Sequence, residues 1–182
     1  MKGLRPFSTT TWVIFFPPVR FGELKAQINY LDKLRHGPLK IGDTIIDAIP
    51  LHHPQGGLGF RFQEGDKRLV FITDNELAED APAGRRPEDY VRFCKDADVL
   101  IHDSQFTPDE IPKHKDWGHS DYATSLDLAL QAHAKRLILF HHAPFRKDSE
   151  LTAIKTHCED LAAKNRSDIV IDAAKEGSEF TL

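Results

Sequence analysis

Four apolar runs of this chain end on an imidazole or a carboxylate. They are Ala48-Ile49-Pro50-Leu51-His52-His53, Leu69-Val70-Phe71-Ile72-Thr73-Asp74, Val99-Leu100-Ile101-His102-Asp103 and Leu137-Ile138-Leu139-Phe140-His141-His142. Imidazole and carboxylate together are a donor set for zinc, iron or manganese. In α/β sheets, ligands bind beyond the carboxyl ends of the strands. One such ending is unremarkable, whereas four point to a single site built from several loops, with a metal as the leading ligand. A further histidine, His119 in Trp117-Gly118-His119-Ser120-Asp121, precedes a predicted helix. There it faces the positive helix end, which lowers an imidazole pKa.

Each candidate also has an ordinary reading. His53 lies beside Gly56 and Gly57, which let backbone approach a ligand closely, yet an exposed histidine turn fits equally well. Asp74 taken alone favours an Asx turn or a helix cap, because a carboxylate after an apolar run is costly unless paired, capping or metal-bound. His119 could belong to a capping loop, and His141-His142 could be one buried and one exposed histidine. His102-Asp103 reads either as a pair that orients another imidazole or as structure. His36, His114, His133 and His157 fall in polar loops or on helices and read as surface residues. The glycines at 56–59 lack the spacing of a dinucleotide fingerprint, and no Gly-x-Ser-x-Gly nucleophile turn occurs.

The elements that must position these residues form two blocks. Residues 39–52 read as a β-hairpin turning at Gly42-Asp43. Leu58–Phe62 alternates, and Glu64–Lys67 turns into the strand 68–73, which completes an antiparallel meander. The second block alternates helix and strand: a helix over 88–96, a strand at 99–102, a helix from a Ser120 cap to His133, a strand at 137–140, and a helix from an Asp148 cap to Lys164. Ile169–Ile171 and Glu179–Leu182 read as closing strands, Ala26–Leu31 as a short strand and Trp12–Phe16 as an apolar packed segment. The fold class is α/β in a single domain.

Composition narrows the function. The 182 residues suffice for one domain with a core, and 40% are hydrophobic against 29% charged. The net charge of -4 disfavours extended nucleic-acid binding. Cys94 and Cys158, with no Cys-x-x-Cys, give neither a disulfide framework nor a thiolate zinc site, and a reducing cytoplasm is the simplest compartment. The run Trp12–Phe16 is too short for a signal-peptide core or a membrane span.

The ordered set His53-Pro-Gln-Gly-Gly-Leu-Gly-Phe, Phe71-Ile-Thr-Asp74, Ile101-His-Asp103, Trp117-Gly-His119-Ser120 and Leu139-Phe-His141-His-Ala-Pro144 resembles the metallo-β-lactamase superfamily. Within it, the set is most similar to the branch of ribonuclease Z and related phosphodiesterases. The resemblance runs from about Pro18 onward. It implies an αββα sandwich, of which this chain looks like the C-terminal half. It also implies one or two divalent metals, zinc first with manganese or iron as alternatives. By the same resemblance His53 binds the first metal, Asp74 bridges the two, His141 binds the second, and His119 is the general acid that protonates the leaving group. The attacking species would be a metal-bound hydroxide, and the substrate a phosphodiester or a related small-molecule ester, with lactone and thioester hydrolysis left open.

The family's His-x-His-x-Asp-His signature occurs nowhere in the 182 residues. The chain therefore reads as N-terminally truncated, with a partial metal site and activity in doubt for the chain alone. The rival reading, from a different class, is a non-catalytic remnant or a partner-binding domain. A half-sandwich would expose apolar surface on its meander and leave a homodimer open.

Overall fold

A computed structural model of the chain describes residue 25 and residues 37–82 and 85–182. Apart from Lys25 these lie in one compact unit, Lys33–Leu182. The segments expected at Trp12–Phe16 and Ala26–Leu31 fall outside the described residues.

Seven strands form one sheet in sequence order: β1 Leu39–Ile41, β2 Thr44–Pro50, β3 Leu58–Glu64, β4 Lys67–Ile72, β5 Val99–Asp103, β6 Arg136–Phe140 and β7 Val170–Ala173. The first four pair antiparallel, as alternation and short turns dictate. From β4 onward the pairing is parallel, and each parallel step is bridged by a helix: α1 Pro87–Cys94, α2 Tyr122–Gln131 and α3 Asp148–Lys164. Parallel neighbours need such crossovers, because a tight turn cannot return the chain to the same end of the sheet.

The three helices share one core with one face of the sheet. Val70, Ile72, Leu100, Leu137, Leu139 and Ile171 project into it from the strands, and Tyr90, Cys94, Leu126, Ala129, Cys158 and Ala162 from the helices. The period-2 rule sends the intervening residues to the opposite face, where Phe60, Phe62, Leu69, Phe71, Ile101 and Phe140 are half-buried. On the meander Ile41, Ile45 and Leu58 are exposed.

Local chemistry corrects three sequence expectations. Asp121, not Ser120, caps α2, accepting from Ala123 N at 2.8 Å and Thr124 N at 3.0 Å, an arrangement worth about 1 kcal/mol. The Ser120 hydroxyl instead donates to Asn75 O (2.7 Å) and accepts from Leu77 N (3.1 Å), tying the α2 start to the loop after β4. Asp148 is the first residue of α3 and Lys147 its cap, with Glu150 accepting from Lys147 N at 2.8 Å. Residues 179–182 form no strand; after β7 the chain leaves the sheet through a turn closed by Ser178 N donating to Lys175 O at 3.1 Å.

Candidate metal centre

The site lies where β2, β4, β5 and β6 end. Beyond β2, the Tyr90 hydroxyl of α1 donates to Pro50 O (3.0 Å) and accepts from His52 N (3.1 Å), while Asn75 Oδ1 also accepts from His52 N (3.0 Å). His52 Nδ1 lies 3.2 Å from Glu76 O. These contacts fix the turn, and His53 is the member of the pair that reaches the other imidazoles. Its ring centroid is 5.5 Å from that of His119, edge to face.

Asp74 lies two residues beyond β4 and His141 directly follows β6, and both adopt left-handed backbone, with φ of 56° and 58°. Asp96, His133 and Arg166 share that conformation but sit one residue past the helix C-caps, where it is ordinary. At a strand end, a non-glycine residue held so costs of order 1–3 kcal/mol, and such strain gathers at functional sites. The bend turns both side chains toward each other, with His141 Nε2 3.4 Å from Asp74 Oδ1. The His141 ring stacks on that of His119 at 4.8 Å and 15°. Thus the structure brings His53, Asp74, His119 and His141 together from four separate loops.

His119 is held from behind. Its Nδ1 lies 2.7 Å from Oδ2 of the fully buried Asp103, so that Nδ1–H donates to the carboxylate and Nε2 is left for the site. Asp103 also accepts from Gln105 N (3.1 Å), Ser120 N (3.2 Å) and Asn75 N (3.3 Å), which makes a buried carboxylate tolerable. Of the pair His102-Asp103, then, the aspartate supports the site. His102 is fully buried on the helix side, with Nδ1 3.0 Å from Ser125 Oγ and 2.8 Å from Asp103 O. Strand alternation alone puts the two on opposite faces. His142 is half-buried and meets the Ala174 backbone.

The loop that carries His119 is anchored by Glu76, whose two carboxylate oxygens accept from Asp116 N (3.0 Å) and Gly118 N (2.9 Å). Gly118 has φ +88°, and a Cβ there would stand 2.3 Å from His53 Cδ2. Only glycine lets this loop lie against His53.

The electrostatics reverse one expectation. Burial pulls the His119 pKa down, but the hydrogen bond and charge of Asp103 outweigh it, and the net shift is upward. A helix start alone would have lowered it, and the carboxylate 16 residues earlier was not visible as its partner in the sequence. The His53 pKa is lowered, first by burial and then by the nearby His119.

The donor set suits a divalent cation. Two ligand atoms each ~2.0–2.1 Å from a tetrahedral zinc are roughly 3.3 Å apart, and His141 Nε2 and Asp74 Oδ1 are 3.4 Å apart. His53, Asp74 and His119 each place a ligand atom within 4.8 Å of the others, as do Asp103, His119 and His141. Asp103 already engages Nδ1 of His119, so this second triplet reads as a hydrogen-bonded support. Two imidazoles and a carboxylate with one position open is a common pattern at catalytic zinc.

Comparison with known proteins gives the family and the fold. Residues 9–142 match the beta-lactamase superfamily domain, and the chain belongs to that family, whose metallo-β-lactamase members bind divalent metal. It is 36% identical over 187 aligned positions to the ribonuclease Z of Picrophilus torridus, an alignment that covers 76% of this chain and 60% of that protein. Among solved structures, it superposes on the metallo-β-lactamase fold protein YhfI of Bacillus subtilis with a TM-score of 0.61 at 21% identity, covering 78% of this chain and 51% of that one. The short form of human tRNase Z superposes with a TM-score of 0.53 at 19% identity, covering 79% and 45%. The chain therefore has the metallo-β-lactamase fold over about half of those structures' length.

Proposed function

We propose that this chain carries the working loops of a metal-dependent hydrolase that cleaves a phosphodiester. The observation that supports the reading is the gathering of Asp74 with His141, and of His53 and Asp74 with His119, an imidazole that a buried carboxylate holds by its far nitrogen. His53, Asp74 and His141 would hold the cation, with zinc the first choice for imidazole and carboxylate donors and manganese or iron the alternatives. A cation held there supplies a Lewis acid and lowers the pKa of water.

The rest of the chemistry falls to the chain's own groups. Asp103 keeps the proton on Nδ1 of His119, and Nε2 gives its proton to the departing oxygen. The raised pKa of His119 keeps that proton available. Asp74 and His141 are 43% and 32% exposed, which leaves the cluster open to a substrate. A phosphodiester is preferred over a lactone or thioester because the His119-Ser120 loop resembles the nuclease branch and the relative from Picrophilus torridus is a ribonuclease Z. The two free, buried cysteines suit a reducing compartment such as the cytoplasm. Among the described residues no helix is long and apolar enough to cross a membrane.

One observation favours a second reading, a non-catalytic or partner-binding domain: the 182 residues contain no His-x-His-x-Asp-His. The test is to load purified protein with zinc, remove excess, and measure both bound metal and hydrolysis of bis(p-nitrophenyl) phosphate. Retained metal with turnover supports the hydrolase. Failure to retain any metal, with no turnover, supports the second reading.

A further inference from the structure

The two most exposed large hydrophobic side chains among the described residues are Phe145 at 69% and Trp117 at 58%. Singly exposed apolar residues are normal. These two are not scattered, because each stands on a loop that delivers a site histidine. Trp117 is two residues before His119, and Phe145 is four after His141. His119 and His141 are themselves stacked, so the two loops that carry these rings meet at one centre.

Both rings are also held in place. His114 meets the Trp117 ring edge-on at 4.7 Å and 89°, and stacks on the buried Phe106 at 4.2 Å and 16°. Phe106 in turn meets the ring of His119 at 6.2 Å. A continuous run of rings thus leads from the site to an open tryptophan. His114 is fixed by its own Nδ1, 2.8 Å from Glu110 O. On the other loop the Arg146 guanidinium sits 5.5 Å from the Phe145 ring centroid, and Glu110 Oε2 accepts from Arg146 at 2.6 Å. Glu110 therefore braces both loops. Rigid aromatic surface costs little entropy on binding, and nothing else in the described structure uses these two rings.

We infer that Trp117 and Phe145 form a stacking platform for a planar aromatic group, a nucleobase, joined to the phosphodiester that the site cleaves. The inference rests on the phosphodiester reading and adds the residues that select the substrate. A nucleobase fits better than an apolar protein or lipid surface. Lys147 lies two residues after Phe145 and Lys113 on the Trp117 loop, giving a phosphate positive neighbours, whereas Arg146 and Lys115 are already paired with Glu110 and Asp80. The chain's net charge of -4 offers no general attraction to nucleic acid, so recognition must come from contacts such as these. Base–aromatic stacking is tolerant of sequence and strong enough to supply them.

The chain has two tryptophans, Trp12 and Trp117, so Trp12→Phe makes Trp117 the sole fluorophore. The full chain with that change is titrated with a dinucleoside monophosphate, with dimethyl phosphate and with neutral phosphatidylcholine vesicles. The dinucleoside should quench the fluorescence, and the other two should not. Calorimetry on the Trp117→Ala and Phe145→Ala variants should show binding weakened by roughly 5- to 100-fold, the range that loss of one stacked base gives. Trp117→Phe should restore most of it, and circular dichroism checks that each variant is folded. Equal binding of dimethyl phosphate, unchanged affinity in Trp117→Ala, or quenching by vesicles alone overturns the inference. Its fate is separable from that of the hydrolase reading. Quenching without turnover on any metal keeps the platform and sinks the hydrolase, whereas turnover without quenching does the reverse.

Discussion

Gly118→Ala tests the geometry of the site more sharply than removal of any ligand. Gly118 has φ +88°, and its added Cβ would meet His53 Cδ2 at 2.3 Å, His53 Cγ at 2.8 Å and Pro54 Cδ at 2.8 Å. Gly56 provides an internal control, with φ +72° and nothing within 4 Å of a Cβ. Both substitutions put an L side chain in left-handed backbone, which costs about 1–2 kcal/mol. Only the first adds a collision. Carbon atoms pack at about 3.5–4.0 Å, so the His53 ring or the loop must yield by roughly 1 Å. Glu76 holds the loop through two backbone hydrogen bonds, so His53 should be the part that moves. Misplacement on that scale near the chemistry commonly costs about 10²-fold. We expect Gly56→Ala to lower unfolding free energy by about 1 kcal/mol and leave zinc affinity unchanged. Gly118→Ala should lose about 2–4 kcal/mol in urea melts and weaken zinc binding at least about tenfold, with any turnover down by about 10². If the two variants match in stability and in zinc affinity, the close packing of this loop on His53 is not what positions the ligand.

Further outcomes follow from the same structure. His119→Ala should cut turnover by about 10²–10⁴-fold while sparing bound metal, and loss of the metal in this variant would make His119 a ligand. Zinc titration of the chain should saturate at no more than one weakly held ion, because no more than three donors gather at one point among the described residues, and two tightly held ions would show that other donors take part. The Asp98 carboxyl is held below the usual carboxylate range by its hydrogen bond from Lys135 and that from Arg68 N. Its contribution is therefore present above about pH 4 and lost as pH falls through the lowered value. Asp98→Asn should flatten the acid side of the stability profile by up to about 1 kcal/mol, and an unchanged profile would remove Asp98 from the account. Burial pushes the Cys158 thiol up to about 12 and the Cys94 thiol still higher. Both should resist a thiol reagent until the protein unfolds, and fast labelling of either in the native state would contradict the packing of α1 or α3.

Periodicity and end chemistry are local properties, and there the sequence is informative by itself. Alternation in 39–74 dictates the meander, and apolar stripes at helical spacing dictate the three helices. Apolar runs that stop on His53, Asp74 and His141 mark which strand ends carry polar chemistry, because a buried strand cannot continue through an imidazole or a carboxylate without a use for it. Which strand ends share a corner, and how each side chain is aimed there, depends on contacts between residues far apart in the chain. Asp103 reaches His119 across 16 positions and reverses the direction of its pKa shift. Asp74 and His141 face each other with both in left-handed backbone, a conformation that aspartate and histidine enter more readily than most residues but that the sequence does not place at these two positions. Gly118 reads as an ordinary loop glycine until His53 is placed against it. Ser120 is the expected cap, and the role falls to Asp121, a residue type equally able to cap, because the serine hydroxyl is engaged by Asn75 and Leu77. Trp117 and Phe145 look like core residues by type, and only the packed sheet and helices leave them in solvent beside the site. Sequence sets local propensity and the inventory of donors, whereas mutual distance, burial and backbone strain exist only once distant segments exclude water from one another.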